Sequence, residues 1–265
     1  MGKGGTLMYF NYLFDGAHWH FDKPGSIPNL ILQHLGYTFV SVLIAMAIAL
    51  PLGAYIGHTN KGAFLAINIA NAGRALPTFG LVTLLVTLIG LGTLPVVIAL
   101  VVLSIPPILA NTYAGLRAVE PGAVDAARGM GMRPARVLLG VEVPMAMPLI
   151  MAGLRSAVLQ VVATATIAAY VGGGGIGRLL IDGLSIGDYS RVVAGAVVVA
   201  VLAIVLEVLM TLLERAIVSP GVSGRFSVGG RKGADAVGRD PSDLLGEGIT
   251  LTADGLPAAH HDVNN

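Results

Sequence analysis

The chain has 265 residues, 55% hydrophobic and only 12% charged, with a net charge of +1 and a mean hydropathy of +0.80. Soluble domains carry about a quarter charged residues, so an ordinary soluble globular protein is excluded, and near-neutrality supplies no general field for nucleic acid. The absence of cysteine removes disulfides, thiolate metal sites and cysteine nucleophiles.

Apolar runs near or above the ~18–20 residues that cross a bilayer as a helix recur along the chain. Strand-period alternation is missing, and backbone in lipid has to bond internally. The expectation is an all-α polytopic membrane protein with five spans, or six if a further helix lies within residues 1–34.

Residues 1–32 read as an extracytoplasmic or interfacial lead. Tyr9, Phe10, Tyr12, Phe14, Trp19 and Phe21 alternate with polar residues there, a mixture suited to a membrane–water boundary. The stretch has no cleavage-like end, so it does not read as a secretory signal. Met1-Gly2-x-x-x-Thr6 fits the myristoylation pattern only formally. His18 and His20 flank Trp19, which favours an interface role over metal ligation, and no metal site or cofactor is expected.

The first span is expected from about Leu35 to Gly57, with a kink at Pro51, followed by a loop from His58 to Gly62. Residues 63–73 read as an amphipathic lead into a membrane segment at 76–91 that is broken near Pro77. Gly90 to Thr93 turns the chain. The third span covers about Leu94 to Gly115, with Pro106-Pro107 breaking it. A polar, basic loop at 117–145 follows. The fourth span runs from about Met147 to Val171, then Gly172 to Gly175 and an amphipathic piece to Ser190, and the fifth from about Val192 to Leu213. The domain expectation is a transmembrane core at 33–216 and, from 217 to 265, a disordered cytoplasmic tail rich in Gly, Asp and Pro. His260 and His261 lie in that tail and carry no role.

Lysine and arginine set the orientation. One side receives Lys61, Arg117, Arg128, Arg133, Arg136 and Arg215, and the other Lys3, Lys23, Arg178 and Arg191. The richer side is assigned to the cytoplasm, which places the 117–145 loop and the C-terminus inside.

Polar groups inside spans are costly and therefore informative. Arg155 and Glu207 fall at similar depth on antiparallel spans, so they either pair or snorkel separately to the interface. Gln160, Thr164 and Thr166, with Asn111 and Thr112, either line a polar pathway or bond helix to helix. Gly172-x-Gly174-x-x-Gly177 copies the dinucleotide fingerprint, but a membrane helix precedes it instead of a strand. Gly172, Gly173, Gly174 and Gly175 are left as a passive turn or a flexible outer gate. Ser26, Ser41 and Ser104 join no catalytic set, and no Gly-x4-Gly-Lys-Ser/Thr loop for ATP occurs.

The most specific signal lies in the 117–145 loop. Asp125-Ala126-Ala127, Gly131 and Val141-x-Val143-Pro144 keep an unbroken spacing, with Arg128, Gly129, Arg133 and Arg136 between them. Small residues let another surface approach the backbone, and the arginines offer it charge-assisted hydrogen bonds. The pattern resembles the Glu-Ala-Ala, three residues, Gly, nine residues, Ile-x-Leu-Pro signature of permease subunits in binding-protein-dependent ABC importers. Asp125, Val141 and Val143 are conservative departures from it.

The resemblance covers about residues 33–216 and implies the compact five-helix core shared with methionine-type permeases. The run Ala168 to Gly177 and the stretch 187–214 resemble osmoprotectant permeases, which carry glycine betaine, choline or carnitine. It implies a multi-pass protein of the bacterial cell membrane with three partners. These are a cytoplasmic ABC ATPase dimer, a second permease half that is a paralogue or an identical copy, and an extracytoplasmic solute-binding protein. Asp125, Ala126, Ala127, Arg128, Gly129, Gly131, Arg133 and Pro144 would then serve ATPase docking through a short coupling helix. A quaternary ammonium calls for an aromatic cage. The one tryptophan is Trp19, and the resemblance puts the cage on the binding protein. A permease for another small solute such as methionine is the alternative. A secondary carrier would instead show an inverted repeat, and none is seen.

Overall fold

Pro28 sits in the first turn of the first long helix, where no backbone N–H is required, and so starts it at Ile27 rather than near Leu35. In this computed structural model, which describes residues 9–218, that helix is preceded by α1 (Asn11–Phe14) and a 3-10 turn (Gly16–His18). The lead is tied down by Trp19, whose indole N–H donates to the Leu13 carbonyl (2.8 Å), and by Asn29, whose amide donates to the Phe21 and Lys23 carbonyls (2.8 Å each). Residues 27–32 thus belong to the helix and not to the lead.

The helix α2 (Ile27–Thr59) runs unbroken through Pro51 and ends at Asn60, which takes the left-handed conformation (φ 57°). His58 is therefore helical and not in a loop. Next come α3 (Ala63–Ala75) and α4 (Thr78–Ile89). Pro77 drives Leu76 into an extended conformation, and the two segments meet at 93°. Gly90 (φ 104°) and Gly92 (φ 142°) turn the chain into α5 (Thr93–Arg117).

Pro106 and Pro107 do not break α5, contrary to expectation. A proline removes one backbone bond and leaves the others, and here both rings are buried among neighbours. Gly73 of α3 packs against the Pro106 ring so closely that a Cβ would strike it. The most enclosed of the long apolar helices, α5, is also the hub of the fold. Gly53 and Gly57 of α2 form a Gly-x-x-x-Gly face against it: an added Cβ would stand 2.8 Å from Thr112 Cβ and 2.7 Å from Leu116 Cβ. Small residues at this spacing let membrane helices approach closely.

After α5 come α6 (Pro121–Gly129), α7 (Pro134–Val137), a π turn (Leu138–Glu142) and α8 (Val143–Thr164). A 3-10 stretch (Ala165–Val171), α9 (Gly177–Ile186) and α10 (Tyr189–Ile217) complete the described chain. Among the described residues, four helical stretches are long and apolar enough to cross a membrane, and five spans result if bent α3–α4 counts as one. The main core gathers Val42 of α2, Val82 of α4, Ala99 and Leu100 of α5, and Val161 and Val162 of α8. On α10, Val201, Ile204, Val205, Val208 and Leu212 stay exposed, an apolar surface suited to lipid. The expected tail at 217–265 lies, from residue 219 on, outside the described residues.

Candidate functional site

The basic loop folds into a two-faced helical element. Pro121 opens α6, and its inward residues, Val124 and buried Ala127, hold it to the rest. Val137 is fully buried, and Leu138 packs with Leu116, Val119, Ala146 and Ile150. The opposite face carries Asp125, Ala126, Arg128, Gly129, Met130, Gly131 and Arg133, all exposed. Pro144 is exposed in the first turn of α8. Ala127 is the exception among the expected docking residues, since it anchors the element from within. Gly131 adopts φ +80°, which lets the chain leave α6 and enter α7. A Cβ at Gly129 or Gly131 would meet nothing within 4 Å, so these glycines leave open space on the outer face.

One contact at this end is invisible to sequence reasoning. His58 Nδ1 and Glu142 Oε2 lie 2.7 Å apart although the residues are 84 positions apart. Glu142 is only 5% exposed. It closes the π turn, and such an extra residue in a helical turn is frequent at functional sites. The spacing pattern treats this position as free, and His58 reads as loop, so no local signal joins them.

At the other end, α2 clamps the glycine turn. Gly174 N–H donates to the Tyr37 hydroxyl (3.1 Å) and Gly175 N–H to Gln33 Oε1 (3.0 Å). His34 is fully buried, and its Nε2 lies 2.9 Å from the Val162 carbonyl, just before α8 tightens into the 3-10 stretch. Gly172 (φ 79°) and Gly175 (φ 84°) supply the left-handed conformations of the turn. Gly174 has no room for a Cβ beside the Gln33 amide, nor has Gly177 beside the Thr166 carbonyl. Gly173 is similarly confined by the Ala168 carbonyl. Gln33, His34 and Tyr37 are missed by sequence reasoning because polar residues scattered in an apolar helix carry no motif.

Asn111, Thr112, Thr164 and Thr166 donate to nearby backbone carbonyls and not to another helix, which corrects that alternative for these four residues. Thr164 donates to the Gln160 carbonyl (2.7 Å), Thr166 to Ala163 (2.7 Å) and Thr112 to Ile108 (2.7 Å). Asn111 likewise donates to Pro107 (2.8 Å). Each is satisfied by its own helix, as short polar side chains often are.

Arg155 of α8 lies against α10. Its Nη1 is 3.5 Å from Glu207 Oε1, 3.6 Å from Glu214 Oε2, and donates to the Thr211 hydroxyl at 3.2 Å. Glu207, Thr211 and Glu214 share one face of α10 through spacings of four and three. Glu214 is the partner that sequence reasoning missed.

Residues 49–219 match the family described as binding-protein-dependent transport system inner membrane component. The osmoprotectant import permease protein OsmW of Salmonella typhimurium is 37% identical over 213 residues, covering 78% of this chain and 99% of the relative. The choline transport system permease protein OpuBB of Bacillus subtilis is 35% identical over 190 residues, 72% of this chain and 88% of the relative. Among solved structures, an inward-facing form of the methionine ABC transporter MetNI superimposes with a TM-score of 0.66 at 20% identity. That overlap takes in 83% of this chain and 100% of the other, and speaks for the fold alone. The chain therefore belongs to the binding-protein-dependent transport system inner membrane components, the permease subunits of ABC importers.

Proposed function

We propose that this permease moves a compatible solute of the choline, glycine betaine or carnitine class, driven by ATP hydrolysis on a cytoplasmic ABC ATPase dimer that grips the outer face of α6. The observation that supports docking is the two-faced element itself. Val124, Ala127 and Val137 fix it from within, while Asp125, Ala126, Arg128, Gly129, Gly131 and Arg133 are left exposed. Arg128 lies 4.0 Å from Asp125, with side chains 56% and 76% exposed. So loose a surface pair contributes little internally and leaves both groups open to a partner. The solute class rests on the names of the relatives, which include permeases for choline and for glycine betaine, carnitine and choline.

In this reading a second permease half completes the pathway and an extracytoplasmic binding protein delivers the solute. Gly172 to Gly175 form the outer turn that opens and closes, with Gln160 and Thr164 of α8 on the route. The α6 end faces the cytoplasm with the C-terminus, as the Lys/Arg distribution favours. The test is uptake of labelled choline, glycine betaine and carnitine by cells depleted of their other carriers, together with co-purification of an ATPase. Uptake of at least one solute, lost on removing the ATPase, is the expected result. Uptake driven by an ion gradient without any ATPase would overturn the reading.

A further inference from the structure

Beyond the aromatic-rich lead, the sequence brings no aromatics together, yet folding builds an aromatic corner. Phe79, in the first turn of α4, and Tyr170, near the end of the 3-10 stretch, meet edge to face with ring centroids 5.5 Å apart and planes at 79°. Both rings stay open, at 52% and 60% exposure. From this geometry we propose that Phe79 and Tyr170 are the permease's own recognition point for the quaternary ammonium head of its solute. The proposal rests on the solute class given above.

Each ring stands at a break in a spanning segment. Phe79 follows the Pro77 bend of 93°, and Tyr170 lies where α8 has tightened into the 3-10 stretch ahead of Gly172. Irregular backbone at membrane depth is tolerated only where protein buries it or a hydrated cavity lines it.

Tyr170 also lies close in sequence to the glycine turn that α2 holds, where Gly174 and Gly175 donate to Tyr37 and Gln33.

The chemistry selects the ligand. Two π-faces nearly at right angles make two walls of a corner that a trimethylammonium group fills without losing a hydrogen bond, since it has none to give. Cations of this kind are held by the negative faces of aromatic rings. A corner of two walls holds more weakly than a closed cage, as a transit point requires.

The experiment is choline and glycine betaine uptake by the complete importer carrying variants of this chain. Phe79→Leu and Tyr170→Leu remove the π-face and keep apolar bulk, whereas Phe79→Trp and Tyr170→Phe keep it. The leucine variants are expected to lower maximal uptake on the order of tenfold, with KM, set by capture on the binding protein, unchanged. The aromatic variants should retain most of the rate, at equal membrane abundance and equal ATPase co-purification. The proposal is overturned if the leucine variants transport normally, if Phe79→Trp and Tyr170→Phe fail as badly as leucine, or if the leucine variants lose the second permease half, which would make the corner an assembly contact. Should a leucine variant not reach the membrane, Phe79→Trp and Tyr170→Phe together decide, since loss of rate in both refutes a π-face requirement. Wild-type protein that imports neither probe removes the solute reading and this proposal with it. Normal import by wild type and the leucine variants alike removes the proposal alone.

Discussion

Arg155 and Glu142 find their partners at the membrane by different means, and mutation should separate them. Glu142 has His58 within 2.7 Å and is nearly sealed from solvent. Removing one partner of a buried hydrogen bond leaves the other unsatisfied, so Glu142→Ala is expected to cost about 1–3 kcal/mol, read as a fall in Tm of the detergent-purified protein. Glu142→Gln keeps an acceptor for His58 and should lose less; equal Tm values for Ala and Gln would show that the contact does not matter. Arg155 is shared between Glu207 and Glu214, and these side chains are 29–42% exposed. Because several α10 acceptors share Arg155, losing one of them leaves it still paired. Arg155→Ala should lower folded yield modestly, and adding Glu207→Ala should restore only part of it, because Glu214 still faces the gap. If the two losses simply add, the side chains do not interact. Counting depth along antiparallel spans brings Arg155 and Glu207 to one level in the sequence alone. Nothing local does the same for His58 and Glu142, whose meeting depends on how α2 and the π turn pack.

Among the elements, α6 gives the clearest test of docking. Gly131 has φ +80°, so any side chain there strains the backbone and confuses a docking defect with a folding one. Gly129 is free of that strain and has open space around it. Gly129→Asp should leave membrane abundance and Tm unchanged while reducing ATPase co-purification and uptake on the order of tenfold, if the docked backbone loses its close approach and gains an unpaired charge. Full ATPase recovery with full uptake would remove α6 from the interface. Helix packing is tested at Gly57, whose added Cβ would crowd Leu116 Cβ at 2.7 Å. Gly57→Ala is expected to cost about 1–3 kcal/mol by overpacking, seen as a lower Tm; an unchanged Tm would mean that α2 and α5 can part without loss. The breaks in these elements are unevenly legible. Pro77 bends the chain where its type predicts. Pro106 and Pro107 do not, because Gly73 packs against the Pro106 ring and the surrounding helix bonds persist. A proline's effect depends on what packs against it, and one chain's residue order does not reveal that. α2 starts at Ile27, ahead of the expected Leu35, with Pro28 placed in its first turn.

At the scale of the molecule, α2 contacts both ends of the candidate machinery. It holds the glycine turn through Gln33 and Tyr37 at one end and the π turn after the docking element through His58 at the other. The five-span plan is legible because each span is a long apolar run, whereas these ties are single polar residues in apolar surroundings. What lies beyond the bundle can be tested by deletion. The family match ends at residue 219, and Val218 of the described bundle is still buried. Beyond it the sequence is rich in Gly, Asp and Pro and lacks a periodic apolar face. Removing residues 221–265 should therefore leave insertion, ATPase co-purification and choline uptake close to wild type. A polar tail can still act as a contact for another protein or as a brake, and either would show in uptake without disturbing the bundle. Normal membrane abundance with uptake lost, or with its response to external osmolarity abolished, would make the tail regulatory. Loss of abundance itself would mean that it stabilises the permease.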